Sequence, residues 1–219
     1  MTLLCLECSA QADVWVWQRG AYYRMQNVDS VTFIEHAYVD LGLKSGRLWA
    51  TCNVGAFKPQ ESGDLFAWGE TFPKDDYLWD NYKFLDLSYK FTKYCVESVE
   101  GVVDNKTVLE SVDDAATANW GSEWRMPTND DFVEIQAGCT WAWTDDYKGT
   151  GADGLIGTSK TNGNTIFFPV PSIFRSYWSS SLCYADSDKA YVLSMSKSGV
   201  ECYYGYGRCD GNYVRAVKK

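Results

Sequence analysis

Residues 176–215, SYWSSSLCYADSDKAYVLSMSKSGVECYYGYGRCDGNYVR, decide how the chain is read. Two kinds of sequence meet in them. Tyr191, Leu193 and Met195 alternate with Ala190, Val192, Ser194 and Ser196, which predicts a strand with one core-facing and one lighter face. Glu201 to Tyr213 has four Tyr, three Gly and two Cys, and no Leu, Ile, Val, Met or Phe. A core strand needs aliphatic residues or an apolar alternation, and this run has neither. Tyr supplies a large, rigid contact area at low entropy cost, and small polar residues adapt to a partner. The composition therefore points to a contact surface carried by a scaffold. Residues 183–187 and 202–212 are expected to lie side by side and exposed on one face, framed by Tyr191, Leu193, Met195, Val214 and Val217.

The bulk composition agrees with a scaffold of useful size. A chain of 219 residues that is 46% hydrophobic can bury a substantial core, which suggests one domain with a small appendage. Aromatics make up 16%, with 10 Trp and 15 Tyr, favouring an aromatic-rich β fold or a binding protein over a helical bundle. The net charge of −9 argues against a nucleic-acid partner, which selects a basic footprint. No stretch approaches the roughly 18 apolar residues of a membrane span. The single histidine, His36, leaves no material for His-based triads or the usual zinc sites. It reads as a surface residue at a strand edge.

From the N-terminus, Met1 to Ala12 (MTLLCLECSAQA) reads as the tail of a signal peptide. A short apolar stretch precedes a small-x-small pattern at Ser9 to Ala12. Cleavage there removes Cys5 and Cys8 and leaves six cysteines, at 52, 95, 139, 183, 202 and 209, free to pair in an oxidising compartment. Their spacing matches no zinc or redox motif. Residues 13–34 form a separate hairpin unit: Val14 to Trp17 and Ala21 to Met25 flank a turn at Gln18-Arg19-Gly20, and Val28 to Phe33 adds a further short strand. The main domain, 35–219, opens with strands at Ala37 to Leu41 and Arg47 to Cys52. Gly63 to Glu70 follows, with Phe66 and Trp68 alternating against small residues. Pro73 to Tyr94 is a long irregular excursion whose aromatics suggest packing. Two helices are predicted. One covers Asp113 to Trp120, with acids at its start and Gly121 as its stop; the other runs from the N-cap Thr128 to Gly138, with Phe132 and Ile135 on one face. Asn164 to Val170 reads as a buried strand, Tyr177 to Ser181 starts the terminal sheet, and Tyr213 to Val217 closes it.

Several motifs in order carry a resemblance. Val39 to Gly46 (VDLGLKSG), Leu48 to Gly55 (LWATCNVG), Phe66 to Thr71 (FAWGET), Trp124 to Thr128 (WRMPT), Tyr177 to Ser181 (YWSSS) and Val214 to Val217 (VRAV) together resemble the Fibrobacter succinogenes major paralogous domain family. Trp124 to Phe132 also looks like a motif of the formylglycine-generating-enzyme (sulfatase-modifying-factor) branch of the C-type lectin fold. The resemblance implies an α+β, C-type lectin-like fold with mixed, mostly antiparallel sheets, two helices, much loop, and adjacent N- and C-terminal strands. It implies a secreted or cell-surface protein; a phage particle is the alternative. Some proteins of this fold are the variable proteins of diversity-generating retroelements, in which adenine mutagenesis scatters codons to Asn, Asp, Tyr, Ser, Gly, Cys, Arg and His. Nearly all of residues 183–187 and 202–212 are reachable that way. The resemblance then implies a ligand-binding display protein that is not an enzyme. Its contact set is Cys183, Tyr184, Asp186, Ser187, Cys202, Tyr203, Tyr204, Tyr206, Arg208, Asp210 and Asn212, and its partner is a protein or glycan on another cell or surface. Alternatives are a fixed surface or adhesion module of the same fold, or an enzyme of the formylglycine-generating-enzyme-like branch.

No other chemistry gathers support. Cys202 and Cys209 invite comparison with the active-site cysteines of the oxidase branch, but the surrounding motif is absent. The Glu-Pro-Asn, Gln-Pro-Asp and Trp-Asn-Asp calcium motifs of sugar-binding lectins do not occur. The paired acids Asp75-Asp76, Asp113-Asp114, Asp130-Asp131 and Asp145-Asp146 lack the alternating oxygen spacing of a calcium loop and read as helix starts and solvated loops. Ser179 to Ser181 has no nucleophile-elbow glycines and no histidine partner. No metal, cofactor or catalytic residue is expected.

Overall fold

The computed structural model describes residues 12–18, 21–28, 35–171, 175–184 and 186–218, with backbone alone for 12–28, 175, 203 and 204. The leader expected at 1–12 and the extra strand expected at 28–33 lie, but for their end residues, outside the described residues. The chain divides into two units, 1–35 and 36–219. In the first, β1 (Ala12–Gln18) and β2 (Ala21–Val28) pair antiparallel, with Trp17 opposite Tyr22 and Gln18 opposite Ala21. That is the predicted hairpin.

The second unit is a mixed α+β structure with mostly antiparallel strands in three sheets, two helices and much loop. No helix among the described residues is long and apolar enough to cross a membrane. One sheet joins the two ends of the unit. β3 (Tyr38–Asp40) pairs with β4 (Leu48–Ala50), and β12 (Val217–Lys218) lies between β4 and β5 (Trp124–Arg125). Val217 faces both Trp49 and Arg125. Strands this short hold by burial rather than by ladder length, and Trp49 and Val217 are both fully buried.

Both predicted helices form where their caps direct. In α1 (Ala115–Trp120), the Asp114 carboxylate accepts from the Thr117 amide at 2.9 Å and from the Met126 amide at 2.8 Å. Gly121, at φ +92°, takes a backbone conformation that side chains resist and ends the helix. In α2 (Asn129–Gly138), Thr128 and Asp131 form a reciprocal capping box. Asp131 also receives Arg125 at 2.8 Å, tying the helix start to β5. Phe132 and Ile135 are buried as predicted. A third sheet follows, with β6 (Cys139–Thr144), β7 (Gly154–Ser159) and β8 (Thr165–Pro169) in sequence order.

The terminal sheet, β9 (Arg175–Leu182), β10 (Lys189–Ser196) and β11 (Gly199–Gly207), has β10 at its centre. Here the pattern differs from the expectation of one core face and one lighter face. Ala190 and Val192 enter one apolar cluster with Trp178 and Leu182. Leu193 and Met195 enter a second cluster with Tyr177. All four are fully buried, whereas Tyr191 is half-buried. Adjacent strand residues point to opposite faces, so the sheet is sandwiched between two cores. Both flanking strands are irregular at the same place. Ala190 faces Leu182 and Tyr206, while Val192 faces Trp178 and Tyr203, so β9 and β11 each carry extra residues at Tyr191.

The excursion of residues 73–94 is well packed on its inner side: Tyr82, Phe84, Phe91 and Tyr94 belong to the first core. Asp113 fastens its end. The carboxylate, almost fully buried, accepts from Lys83 at 2.7 Å, Lys93 at 2.5 Å and the Tyr94 hydroxyl at 2.7 Å. Burial alone would push this carboxyl up; the three donors outweigh burial and hold it below the usual carboxylate range. Asp113→Asn is expected to cost about 2–3 kcal/mol at neutral pH. Because the folded-state value lies below the unfolded one, the contribution is present above about pH 4 and lost as the pH falls through the lowered value. Urea unfolding of both proteins at pH 7 and pH 3 checks this. A gap of equal size at both pH values refutes it.

Candidate functional site

The two segments predicted to form the contact face are neighbours, joined through β10. The Cys183 amide donates to the Lys189 carbonyl at 3.0 Å, Lys189 faces Gly207, and Ala190 faces Tyr206. At Gly205 they approach closely. It sits at φ +95°, and a Cβ there would lie 2.7 Å from the Cys183 sulfur. A side chain at 205 would push the segments apart.

Exposure, in contrast, is uneven. Tyr184 is 85% exposed. Asp186, Cys202, Tyr206 and Asp210 are half-buried. Tyr206 packs against the first core, so part of its ring belongs to the frame. The side chains of Tyr203 and Tyr204 lie outside what the structure describes. Cys183, Ser187, Arg208 and Asn212 are buried, which corrects the expectation that the whole set is displayed. Asn212 is held by backbone pairing with Phe66, at 2.9 and 3.1 Å. Cys183 is enclosed beside Gly205.

Arg208 is the largest correction. Its side chain is fully buried. The guanidinium donates to the Tyr82 hydroxyl at 2.9 Å and to the carbonyls of Ser187 at 2.8 Å, Tyr94 at 3.1 Å and Lys93 at 3.0 Å. Its central carbon lies 4.5 Å from the Phe91 ring centre and 4.9 Å from that of Trp68, with Tyr82, Phe84 and Tyr94 completing an aromatic cage. Taking a charge out of water costs several kcal/mol. Charged hydrogen bonds at roughly 1.5–3 kcal/mol each and desolvated cation–π contacts offset that cost. The residue anchors the contact region from behind and cannot meet a ligand.

The second segment is thus held by the first core, and so is the turn after Tyr184. The Ser187 carbonyl serves Arg208, the Ser187 hydroxyl accepts from the Val96 amide at 3.3 Å, and the Ser187 amide donates to Glu100 at 3.3 Å. Residues 95–101 therefore back the turn that contains Ser187, which was not evident in the sequence. Val96 and Glu100 lie just beyond the 73–94 excursion and contribute through one main-chain amide and one carboxylate. Asp188 was also missed. Its carboxyl is pushed up to about 6, first by burial and then by Asp186. The Asp186-Ser187-Asp188 spacing was the available signal.

Thiol chemistry finds no support in the geometry. Burial pushes Cys183 up to about 12, and Cys202 and Cys209 up to about 11, so all three stay protonated at neutral pH. All six described cysteines are free, where pairing was open from the sequence. Among the described residues no group of three or more His, Cys, Asp or Glu side chains is placed to hold a metal ion. A shallow depression of about 420 Å³, lined by Lys44, Ser45, Asp130, Asp131 and Glu134, includes none of the predicted residues.

No protein-family model matches the chain, and neither a curated protein nor a solved structure matches it. The functional reading therefore stands on the geometry above.

Arg208→Met removes four donated bonds and takes the donor from the carbonyls of Ser187, Tyr94 and Lys93, while the Tyr82 hydroxyl keeps its bond to the Trp68 carbonyl. The expected cost is at least about 3 kcal/mol, a fall in Tm of roughly 6–12 °C. Calorimetry of the variant beside wild type measures it. An unchanged Tm would remove Arg208 from the frame.

Proposed function

We propose that the chain is a ligand-binding display protein with a C-type lectin-like fold, exported to act at or beyond the cell surface. Its face is centred on Tyr184 and the adjoining strand β11. The observation that carries this reading is one aromatic held out to solvent while its neighbours are pinned. Tyr184 is 85% exposed, yet the turn that follows it is bonded to a buried guanidinium. An exposed Tyr on a fixed backbone binds at low entropy cost, and interface energy concentrates in such aromatics. That β12 shares one sheet with β3 and β4 supports the fold assignment, since that fold gathers its N- and C-terminal strands in one sheet.

The burial of Cys183, Ser187, Arg208 and Asn212 favours a second reading for part of the face. Residues at those positions serve packing, and scattering their codons would break the core. A fixed surface module accounts for them directly. Any diversification is then confined to outward positions such as Tyr184.

The ligand is a protein or glycan on another surface, so the test begins with a glycan array and a panel of purified surface proteins. For any ligand found, Tyr184→Ala and the double variant Tyr203→Ala/Tyr204→Ala should each weaken binding at least about tenfold, the loss of a contact worth roughly 1.4 kcal/mol. Tyr184→Ala should leave stability within about 0.5 kcal/mol. Full-strength binding by both variants would move the contact face elsewhere.

A further inference from the structure

The turn that ends β11 places a carboxylate against an indole. The Asp210 amide donates to the Gly207 carbonyl at 2.8 Å and closes the turn. A Cβ built at Gly207 would lie 3.2 Å from Asp210 Oδ2 and 3.3 Å from Trp79 Cζ2. A carboxylate oxygen and an indole edge thus flank one point, and the missing side chain at 207 leaves that point as a notch. At Gly211, a Cβ would lie 2.9 Å from the Tyr77 ring. Tyr77, Trp79 and Tyr206 pack against the first core and are half-buried, as are Gly207 and Asp210, so solvent reaches the notch. Its walls are fixed. The Tyr77 hydroxyl donates to the Leu65 carbonyl at 2.5 Å, and Trp79 makes T-shaped contacts with Tyr82 and Phe91 at 5.6 and 6.0 Å.

No cation of the described chain serves this carboxylate. Among the described residues Asp210 makes no ion pair, and the Cys209 thiol reaches it only at a loose 3.9 Å. Lys74, from the same segment as Tyr77 and Trp79, is committed to Glu70 at 3.0 Å and to the Asn81 carbonyl at 3.1 Å. The Arg208 guanidinium is turned inward to Tyr82 and the aromatic cage. Lys189 is held by Asp186. The rest of the neighbourhood is acidic: burial chiefly, with the charges of Asp64, Glu70 and Asp75, raises the Tyr77 hydroxyl. A half-buried carboxylate beside aromatic rings, without its own counter-charge, is a receptor for a cation.

We propose that the notch at Gly207 takes an arginine side chain of a protein ligand, its guanidinium paired with Asp210 and laid against Trp79. Arginine fits better than lysine because its planar, weakly hydrated fork pairs with a carboxylate and stacks on a ring at the same time. The chain hosts guanidinium groups on rings twice already, with Arg208 at 4.5 Å from Phe91 and Arg215 at 4.4 Å from Phe168. A neutral sugar would leave the charge of Asp210 unanswered, so the site selects a basic protein surface over a glycan. The Arg208 amide donates to the Asp188 carbonyl at 2.9 Å, which sets the notch beside the turn that follows Tyr184. That the arginine belongs to a protein ligand rests on the reading of Tyr184 as a contact residue; the notch does not.

NMR titration of the full chain with N-acetyl-arginine amide tests the notch. The Trp79 indole signal, assigned with Trp79→Phe, should move saturably, with the millimolar dissociation constant expected of a single side chain. N-acetyl-citrulline amide, the neutral isostere, should bind at least about tenfold more weakly, because it lacks the charge that Asp210 receives. Asp210→Asn should weaken the arginine response by a similar factor. Gly207→Ala puts a methyl group into the notch and should abolish the response while keeping Tm within about 3 °C of wild type. Asp210→Asn carries the test alone if the alanine variant folds poorly. No response of Trp79 to the arginine amide, or an equal response to citrulline, overturns the proposal. So does a saturable response to methyl hexosides in place of arginine, which would give the notch to a glycan. Failure here leaves Tyr184 as a contact residue untouched. Tyr184 variants that bind a ligand at full strength would defeat the display reading and leave the notch standing.

Discussion

The buried guanidinium of Arg208 is the constraint on which the rest of the domain depends. It has no carboxylate among its described partners; carbonyl dipoles, one phenol and five aromatic faces take its place. The partners come from three parts of the chain, Trp68, residues 82–94 and Ser187. The Trp68 amide donates back to the Arg208 carbonyl at 2.8 Å, so the segment 63–70 is tied to the end of β11. Tyr94 accepts the guanidinium through its carbonyl and reaches Asp113 through its hydroxyl. It does so at φ +58°, a region costly for an aromatic residue. Held there, its ring also meets those of Trp68 and Phe84. One cation thus fixes the excursion, the turn at Ser187 and β11 at once.

Arg215 repeats the device at the second core. Its guanidinium is fully buried over Phe168 and donates to Asn53 and to the carbonyls of Ala50 and Phe167. Burial lowers it to about 10, which still leaves it charged at neutral pH. Between these two cations runs the sheet β9–β11, with Trp178 on one face and Tyr177 on the other. The indole nitrogens of Trp68 and Trp178 complete the junction, donating to Ser179 and Phe66 carbonyls at 2.8 and 2.7 Å. The large aromatic content is spent on this junction, because wide rings with a polar handle can fill a core and still satisfy main-chain groups.

That arrangement explains how segments of unusual composition are held in the fold. The frame does not rely on aliphatic residues in the displayed segments. It grips them through main-chain atoms, at Ser187, Asp188 and Arg208, and through the close approach at Gly205. Tyr184 points outward and stands in solvent. Side chains that point inward, at Cys183, Ser187, Arg208 and Asn212, are as constrained as any core residue.

Much was legible in the sequence alone. Caps and stops at Asp114, Gly121, Thr128 and Gly138 located both helices, because capping is a local interaction between neighbours in the chain. The hairpin of β1 and β2, the buried strand at 165–169, and the adjacency of 183–187 with 202–207 followed from alternation and turn chemistry. Sequence could not say which face of β10 is buried. Alternation assigns residues to two faces but carries no information about whether a second core covers the polar one. Nor could it separate Tyr184 from Arg208, since both sit among Tyr, Gly, Ser and Asp. Only the tertiary structure decided that one stands in solvent and the other inside an aromatic cage, because the ring faces and carbonyls that make burial of a cation tolerable are brought together from residues 68, 82–94 and 187 by the fold itself.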